Sequence, residues 1–470
     1  VKLGRHGAIL GALALAGCAS AGPDYRLPGA AISQHPAATG PLLGATGKAV
    51  SQGDPPAHWW RLYNDPALDA LVTEALGANT DLRTADANLR RAAAIVDEVT
   101  AGRLVATTAS GGLSVDRPAG TGDALPGPVS YDAGLGLSYP LDLSGKIRRA
   151  IEAVRGDEES VLAARDVVRV AVAAATTRAY ATACSANHRL AATRAILVVQ
   201  QRSLDVTRRL AKGGRGSAFD VTRAQTAVDQ TAATLPQILA DRSAALFQLA
   251  ALMGRPPADY PRAVETCPMP PALRQPLPVG DGATLIRRRP DIRVAERSLA
   301  ADTARIGVAT ADLYPQVSLG GSIGLTGPVA TIGTGDAFRL GLGPLINWSF
   351  PNRRITRARI AQADAAVDAR LARFDGIVLD ALRQTETALS AYGREIERNR
   401  ALRQARDSAA KAAEQADRLY RFGRTDFLQV LTAENSLASA EAALAASDAT
   451  LVDRQIDVFL SLGGGWQADE

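Results

Sequence analysis

Gly214-Arg215, followed by Val221 and Ala224, recurs 209 residues later as Gly423-Arg424, followed by Val430 and Ala433. The same separation carries Leu210 onto Leu419 and Met253-Gly254 onto Leu462-Gly463. Upstream, Asp81-Leu82, Ala85, Asp86 and Leu89 fall on Asp291-Ile292, Ala295, Glu296 and Leu299 at 210 residues, and Ser138-Tyr139 falls on Ser349-Phe350 at 211. Three nearly equal separations kept in one order mark a single duplicated unit with small insertions. Whatever this chain builds, it builds twice.

Each unit reads helix, strand, strand, long helix, turn, helix. The strands carry the clearest signal. From Tyr131 the odd positions are Tyr131, Ala133, Leu135, Leu137, Tyr139, Leu141 and Leu143, and the even ones Asp132, Gly134, Gly136, Ser138, Pro140 and Asp142. In the second unit Phe338, Leu340, Leu342, Ile346, Trp348 and Phe350 alternate with Arg339, Gly341, Gly343, Asn347 and Ser349. Val317, Leu319, Ile323 and Leu325 alternate with Gln316, Ser318, Ser322 and Gly324, and Val105–Val115 matches more weakly. Period two over so many residues predicts long strands. A soluble sandwich hairpin is the ordinary reading. The strand length, the Gly/Ser polar face and the aromatics near the ends favour the wall of a transmembrane β-barrel.

The helices are long. No Pro interrupts the chain from Arg357 to Leu419, and apolar residues recur at Ile360, Ala363, Val367, Leu371, Phe374, Val378, Leu382, Leu389, Tyr392 and Ile396. Steps of three and four are a coiled-coil spacing, and sixty helical residues span roughly 90 Å. The first-unit counterpart runs from about Arg148 to Leu210. Each ends at a Gly-containing turn, and Pro236 is expected to break or kink the return helix of the first unit. Composition agrees with narrow, closely approaching helices: 47% of residues are apolar but only 4% aromatic. The net charge of +5 is made of interspersed signs, so no nucleic-acid stripe is implied.

Lys2 and Arg5 precede an apolar run, Gly7 to Ala16, too short to span a bilayer and suited to a signal peptide. It ends in Leu15-Ala16-Gly17-Cys18, which resembles the lipobox of bacterial lipoproteins, in which Cys18 would carry the lipid. Ala19 in place of Asp implies the outer membrane. The expected organisation is a signal peptide at 1–17, a lipidated extended leader at 18–57, a first repeat at 58–260, a Pro-rich link at 261–285, a second repeat at 286–466 and a tail at 467–470. Cys184 and Cys267 are expected to be unpaired thiols, since nothing in the sequence brings them together. Four scattered histidines, none near a Cys pair, argue against a structural zinc site on spacing.

Four strands cannot close a membrane barrel, because unpaired edges would leave backbone donors and acceptors in hydrocarbon. Other copies of the chain must complete it, and would set their long helices side by side as a tube. The copy number does not follow from this argument.

The chain resembles the TolC family of outer membrane efflux factors, in its OprM/NodT-like lipoprotein branch. The resemblance rests on Gly22-Pro23-Asp24-Tyr25, Trp59-Trp60 with Asp65-Pro66 and Leu68, and Arg288-Arg289-Pro290-Asp291-Ile292 with Ala295-Glu296. Tyr314-Pro315 and Gly423 with Val430-Leu431 extend it. It implies a homotrimer with a twelve-stranded outer membrane barrel, a twelve-helix periplasmic tube, a periplasmic adaptor and an inner membrane pump, hence export of small molecules. Type I secretion and metal export share this architecture. The resemblance further implies adaptor-docking tips at Lys212–Phe219 and Tyr420–Phe427, with Gly214, Arg215, Gly423 and Arg424, and a periplasmic gate containing Asp220 and Tyr420. At the family's acidic constriction positions stand Gln429 and Thr432, a departure for which Asp426 or Glu434 are substitutes. Asp220 also suits a helix cap.

No enzyme reading competes. Gly320-Gly321-Ser322-Ile323-Gly324 matches a nucleophile elbow in spelling, but it lies in an alternating strand and no His follows His188. No cofactor is expected. A structural envelope lipoprotein built of coiled coil would explain the helices and Cys18 but not the four strands.

Overall fold

The computed structural model describes residues 20–45, 47–115 and 128–464. Its main elements are α1 (Pro66–Ala78), α2 (Thr80–Ala101), β1 (Ala106–Val115), β2 (Val129–Leu141), α3 (Lys146–Lys212) and α4 (Ala218–Leu252). After the link come α5 (Gly282–Arg288), α6 (Pro290–Ala311), β3 (Gln316–Pro328), β4 (Phe338–Asn347), α7 (Arg353–Arg421) and α8 (Phe427–Ser461). The second half repeats the first element for element. The expected lipidation residue, Cys18, lies outside the described residues.

The chain divides into two compact units, one drawn from Val1–Ala31, Ala87–Leu162 and Arg293–Asp375, the other from Ile32–Asp86, Ala163–Ile292 and Gly376–Glu470. The first holds a four-stranded antiparallel sheet in the order β1-β2-β3-β4. Its register sorts residues by face. Ala109, Leu135, Ile323 and Leu340 form one cross-strand row, and Tyr139 with Leu319 another. The opposite face carries Thr108, Gly136, Ser322 and Gly341 in one row and Ser110, Gly134, Gly324 and Arg339 in the next. Leu340 and Leu342 remain 73% and 81% exposed, so the apolar face finds no cover among the described residues. The Gly-x-Ser-x-Gly stretch sits inside β3 and makes no strand-to-helix elbow. Among the described residues no helix is long and apolar enough to cross a membrane.

Beneath the sheet in the same unit, the leader is pinned to the start of α3. Arg149 donates to the carbonyls of Ala21 and Gly22 and pairs with Asp24 at 2.7 Å. Helices α3 and α6 approach closely where Gly156 faces Ala301 and Ser160 meets Ser298.

The second unit has the larger core. Trp59 stacks on Phe459 at 4.6 Å between ring centres, and both are fully buried. Trp60 donates to Asp69 at 2.8 Å, and Tyr63 donates to Gln455 at 3.1 Å. Asp65 caps α1 through the amides of Ala67 and Leu68 while accepting from the Tyr180 hydroxyl. Arg288 holds the carbonyls of Pro55 and Pro56, and Arg289 joins the Ser461 carbonyl to Asp291. The leader is less extended than its composition suggests: it contains a helical turn at Pro36–Thr39, and Val50–Ser51 pairs in parallel with Leu277–Pro278.

Two expectations are corrected here. Cys184 and Cys267 form a disulfide, with Cα atoms 5.2 Å apart, not two free thiols. The chain reverses after α4 and the segment to Cys267 lies back against α3, where Asn187 donates to the carbonyls of Glu265 and Cys267. An 83-residue separation hid this contact. Second, α4 runs unbroken through Pro236. Pro236 deprives one carbonyl of its amide partner, but Leu235, Ile238 and Leu239 on both sides of it pack with Ala186 and Leu190 of α3, and this burial holds the helix together.

Replacing both cysteines (Cys184→Ser with Cys267→Ser) should lower unfolding stability by about 4 kcal/mol, the loop-closure entropy of so long a loop. Alkylation before and after reduction checks the bond, and denaturant midpoints check the cost. Two thiols reactive in the native, unreduced protein would refute the pairing.

Candidate functional site

Helices α3 and α7 end in the same turn. The Arg215 amide donates to the Leu210 carbonyl and the Arg424 amide to the Leu419 carbonyl, both at 2.9 Å. Gly214 and Gly423 take φ values of +70° and +67°, the left-handed cap of a Schellman motif. A Cβ at either would meet nothing within 4 Å, so the requirement for glycine is conformational rather than steric. Basic residues close both helices, Arg209 and Lys212 on α3, Arg418 and Arg421 on α7, which favours the negative ends of the helix dipoles.

The return helices start on equivalent caps. Ser217 accepts from the Asp220 amide at 3.1 Å while Asp220 accepts from the Ser217 amide, a capping box. In the second unit Asp426 accepts from the Gln429 amide at 3.0 Å. Asp220 and Gln429 are therefore the same position in the two repeats, as are Ser217 and Asp426. Asp426, one substitute for the missing acidic ring, is used as a helix cap.

The four helices meet behind these turns. Leu204 of α3, Ala224, Ala227 and Val228 of α4, and Phe427, Val430 and Leu431 of α8 form a small core, with Tyr420 of α7 at its edge. The Tyr420 ring lies 5.8 Å from that of Phe427. Burial pushes the Tyr420 phenol above its ordinary value, the Asp220 carboxylate adds to this, and Arg215 opposes it. The fold thus gathers Asp220, Tyr420 and Arg215 in one chain. Arg421 is engaged elsewhere, with Asp417 at 2.8 Å. Gln429 and Thr432 lie on the exposed face of α8, where the Thr432 hydroxyl donates to its own helix at Leu428. At the tips Phe219 and Phe422 are 67% and 75% exposed.

Glu434, the other substitute, turns inward. It is buried, and one oxygen accepts from Ser203 of α3 at 2.7 Å. Desolvation raises its pKa, with the Ser203 hydrogen bond opposing. Neither the Ser217 cap nor the Ser203–Glu434 contact was anticipated from the sequence. The Ser-x-x-Asp spelling of 217–220 is a capping-box signal, whereas no local pattern announces a contact between residues 231 apart.

With this geometry in place, comparison with known proteins is decisive. The family described as outer membrane efflux protein matches residues 71–255 and 283–464. The chain belongs to the outer membrane efflux protein family. Nodulation protein T of Rhizobium leguminosarum bv. trifolii is 29% identical over 464 residues, covering 97% of this chain and 96% of that one. The probable efflux pump outer membrane protein TtgC of Pseudomonas putida is 30% identical over 472 residues, covering 97% and 94%. The solved outer-membrane channel OprN is 36% identical and superposes with a TM-score of 0.87, covering 95% of this chain and 99% of that one. As an outer membrane efflux protein the chain is a channel, not an enzyme, and resides in the outer membrane. Its four strands are its share of a transmembrane β-barrel and its long helices belong to the periplasmic helical barrel.

Glu434 gives a test of the bundle. Its raised pKa means that the fold favours the neutral carboxyl, so its contribution is fullest below the ordinary glutamate value of 4.5 and declines as pH rises through the raised value. Glu434→Gln should leave stability near pH 4 nearly unchanged and raise it near pH 8. Denaturant unfolding of both proteins across that range checks it; parallel pH profiles would contradict it.

Proposed function

We propose that the chain is the outer membrane channel of a tripartite efflux system. As a homotrimer it receives small molecules from an inner membrane pump through a periplasmic adaptor and releases them outside. The observation that carries this reading is the joining, in one chain, of a sheet with uncovered apolar face and open edges to two pairs of long helices ending in matched turns. Three copies supply twelve strands, within the range in which membrane barrels close. The names of relatives support the pathway class, TtgC being called a probable efflux pump outer membrane protein.

The tips suit adaptor docking. Gly214-Arg215 and Gly423-Arg424 present backbone turns, exposed cationic side chains and the exposed rings of Phe219 and Phe422. Such surfaces bury apolar area only when a partner arrives. The gate reading places Asp220 and Tyr420 at the closed tip, near Gln429 and Thr432. Polar contacts of roughly 0.2–1 kcal/mol each, repeated in three copies, are weak enough for a docked partner to break.

Asp220→Ala with Tyr420→Phe should raise the single-channel conductance of the purified protein in planar bilayers. Ser217→Ala removes the cap while keeping the carboxylate, and should cost about 1 kcal/mol without raising conductance. An equal rise in Ser217→Ala would assign Asp220 to capping alone.

Lipid anchoring at Cys18 belongs to the same reading. The mature N-terminus should be a diacylated Cys18 by mass spectrometry, and Cys18→Ser should abolish the lipid. An unmodified residue at or beyond position 18 would remove the anchor, leaving the barrel to hold the protein in the membrane.

A further inference from the structure

Helices α3 and α7 are copies of one ancestral helix, and α4 and α8 copies of another. Yet α8 packs on both α3 and α7. Arg178 of α3 pairs with Asp457, and Ser203 with Glu434, while Asn399 of α7 donates to Ser447 and Asp448 of α8. Something must tell the homologous partners apart while the chain folds.

The two pairs differ at one buried level in particular. On α7, Glu395, Asn399 and Arg403 recur one turn apart and face Ser447 and Asp448 of α8. Ser447 donates to Glu395, Asn399 donates to Asp448 at 2.8 Å, and Arg403 reaches both Asn399 and Asp448 at 2.9 Å. Arg398 closes the cluster on Glu395 at 3.2 Å. Glu395, Asn399 and Ser447 are buried. Moved back by the 209-residue repeat, these three positions are Ala186, Leu190 and Ile238. In the structure those three residues touch one another in a buried apolar cluster between α3 and α4. The same contact of the same repeat is apolar in one copy and polar in the other.

We propose that this difference is a pairing code. The Glu395–Asn399–Ser447–Asp448 network directs α7 to α8, and the Ala186–Leu190–Ile238 cluster directs α3 to α4. Exchange of partners sets Glu395 and Asn399 against Ile238 and Leu239, and strips them of the Ser447 hydroxyl and the Asp448 carboxylate. It also sets Ser447 against Ala186 and Leu190, which offer no polar partner, whereas Asp448 keeps a cation because Arg194 stands where Arg403 does. A buried polar group that loses its partner penalises the wrong pairing, which is how specificity is gained by design against an alternative. The fully hydrogen-bonded state exists only in the observed register.

The test gives the second pair the residues of the first: Glu395→Ala, Asn399→Leu and Ser447→Ile in the full chain. Expected are a several-fold lower yield of detergent-resistant oligomer and two mass envelopes in hydrogen exchange for peptides from α4 and α8. Glu395→Gln keeps an acceptor for Ser447, and should retain the yield and the single envelope of the unaltered protein. A triple variant with one envelope and a yield within twofold of the unaltered protein would overturn the proposal, as would a Glu395→Gln protein as heterogeneous as the triple. Should the triple give no oligomer, Ala186→Glu, Leu190→Asn and Ile238→Ser are added, moving the code to the first pair. Recovery of oligomer then supports the code, and its continued absence overturns it.

Discussion

Backbone hydrogen bonding in hydrocarbon is the constraint on which the molecule depends. Within the described sheet, β1 and β4 each have one paired side only. In water an open edge is an aggregation hazard; in a bilayer each unpaired group costs several kcal/mol. No rearrangement of four strands removes both edges and leaves a channel. The edges must be paired by further copies, so oligomerisation here is part of folding rather than an addition to it. The uncovered leucines of the sheet follow from the same fact. They are stable only where lipid replaces water.

Duplication supplies the strands economically but creates near-identical surfaces that must not be confused. The structure breaks the symmetry in small ways. The same N-cap position is Ser217 in one repeat and Asp426 in the other, and the following acid, Asp220, becomes Gln429. The same helix contact is apolar at Ala186, Leu190 and Ile238 and polar at Glu395, Asn399 and Ser447. Meanwhile the features both copies need are kept, most clearly the glycine turns at Gly214 and Gly423 with matching bonds to Leu210 and Leu419. Divergence has gone into partner choice, while backbone geometry has stayed fixed.

Local and periodic features were legible in the sequence, and contacts set by the return path of the chain were not. Alternation along Tyr131–Leu141 gave the strand and its faces, because side-chain period two is imposed by the backbone itself. The turn glycines were legible because few other residues adopt positive φ cheaply. The disulfide was not, since it depends on how the segment after α4 folds back on α3. The break that Pro236 could have made is absent for a related reason: a local rule was outweighed by burial of Leu235 and Ile238. At the candidate gate, the pairing of Asp220 with Tyr420 rested on family resemblance alone, and the inward turn of Glu434 had no sequence signature at all.

The Arg288–Ile292 and Trp59-Trp60 stretches that carry the family resemblance turn out to be scaffolding. Arg288 and Arg289 hold backbone carbonyls from the leader and from the end of α8, and Trp59 stacks on Phe459. These residues tie distant segments of one unit into a rigid body. Charge-assisted hydrogen bonds to buried carbonyls suit that task, being stronger than neutral ones and costly to break. The tips are built on the opposite principle. Their core is small, their phenyl rings are exposed and their charges are solvated, so little holds them beyond what a partner can replace. The proposed gate calls for both: a scaffold too costly to deform and a tip cheap enough to move. Arg289, sealed against Ser461 and Asp291, and Tyr420, at the edge of a small core, are the contrast that proposal calls for.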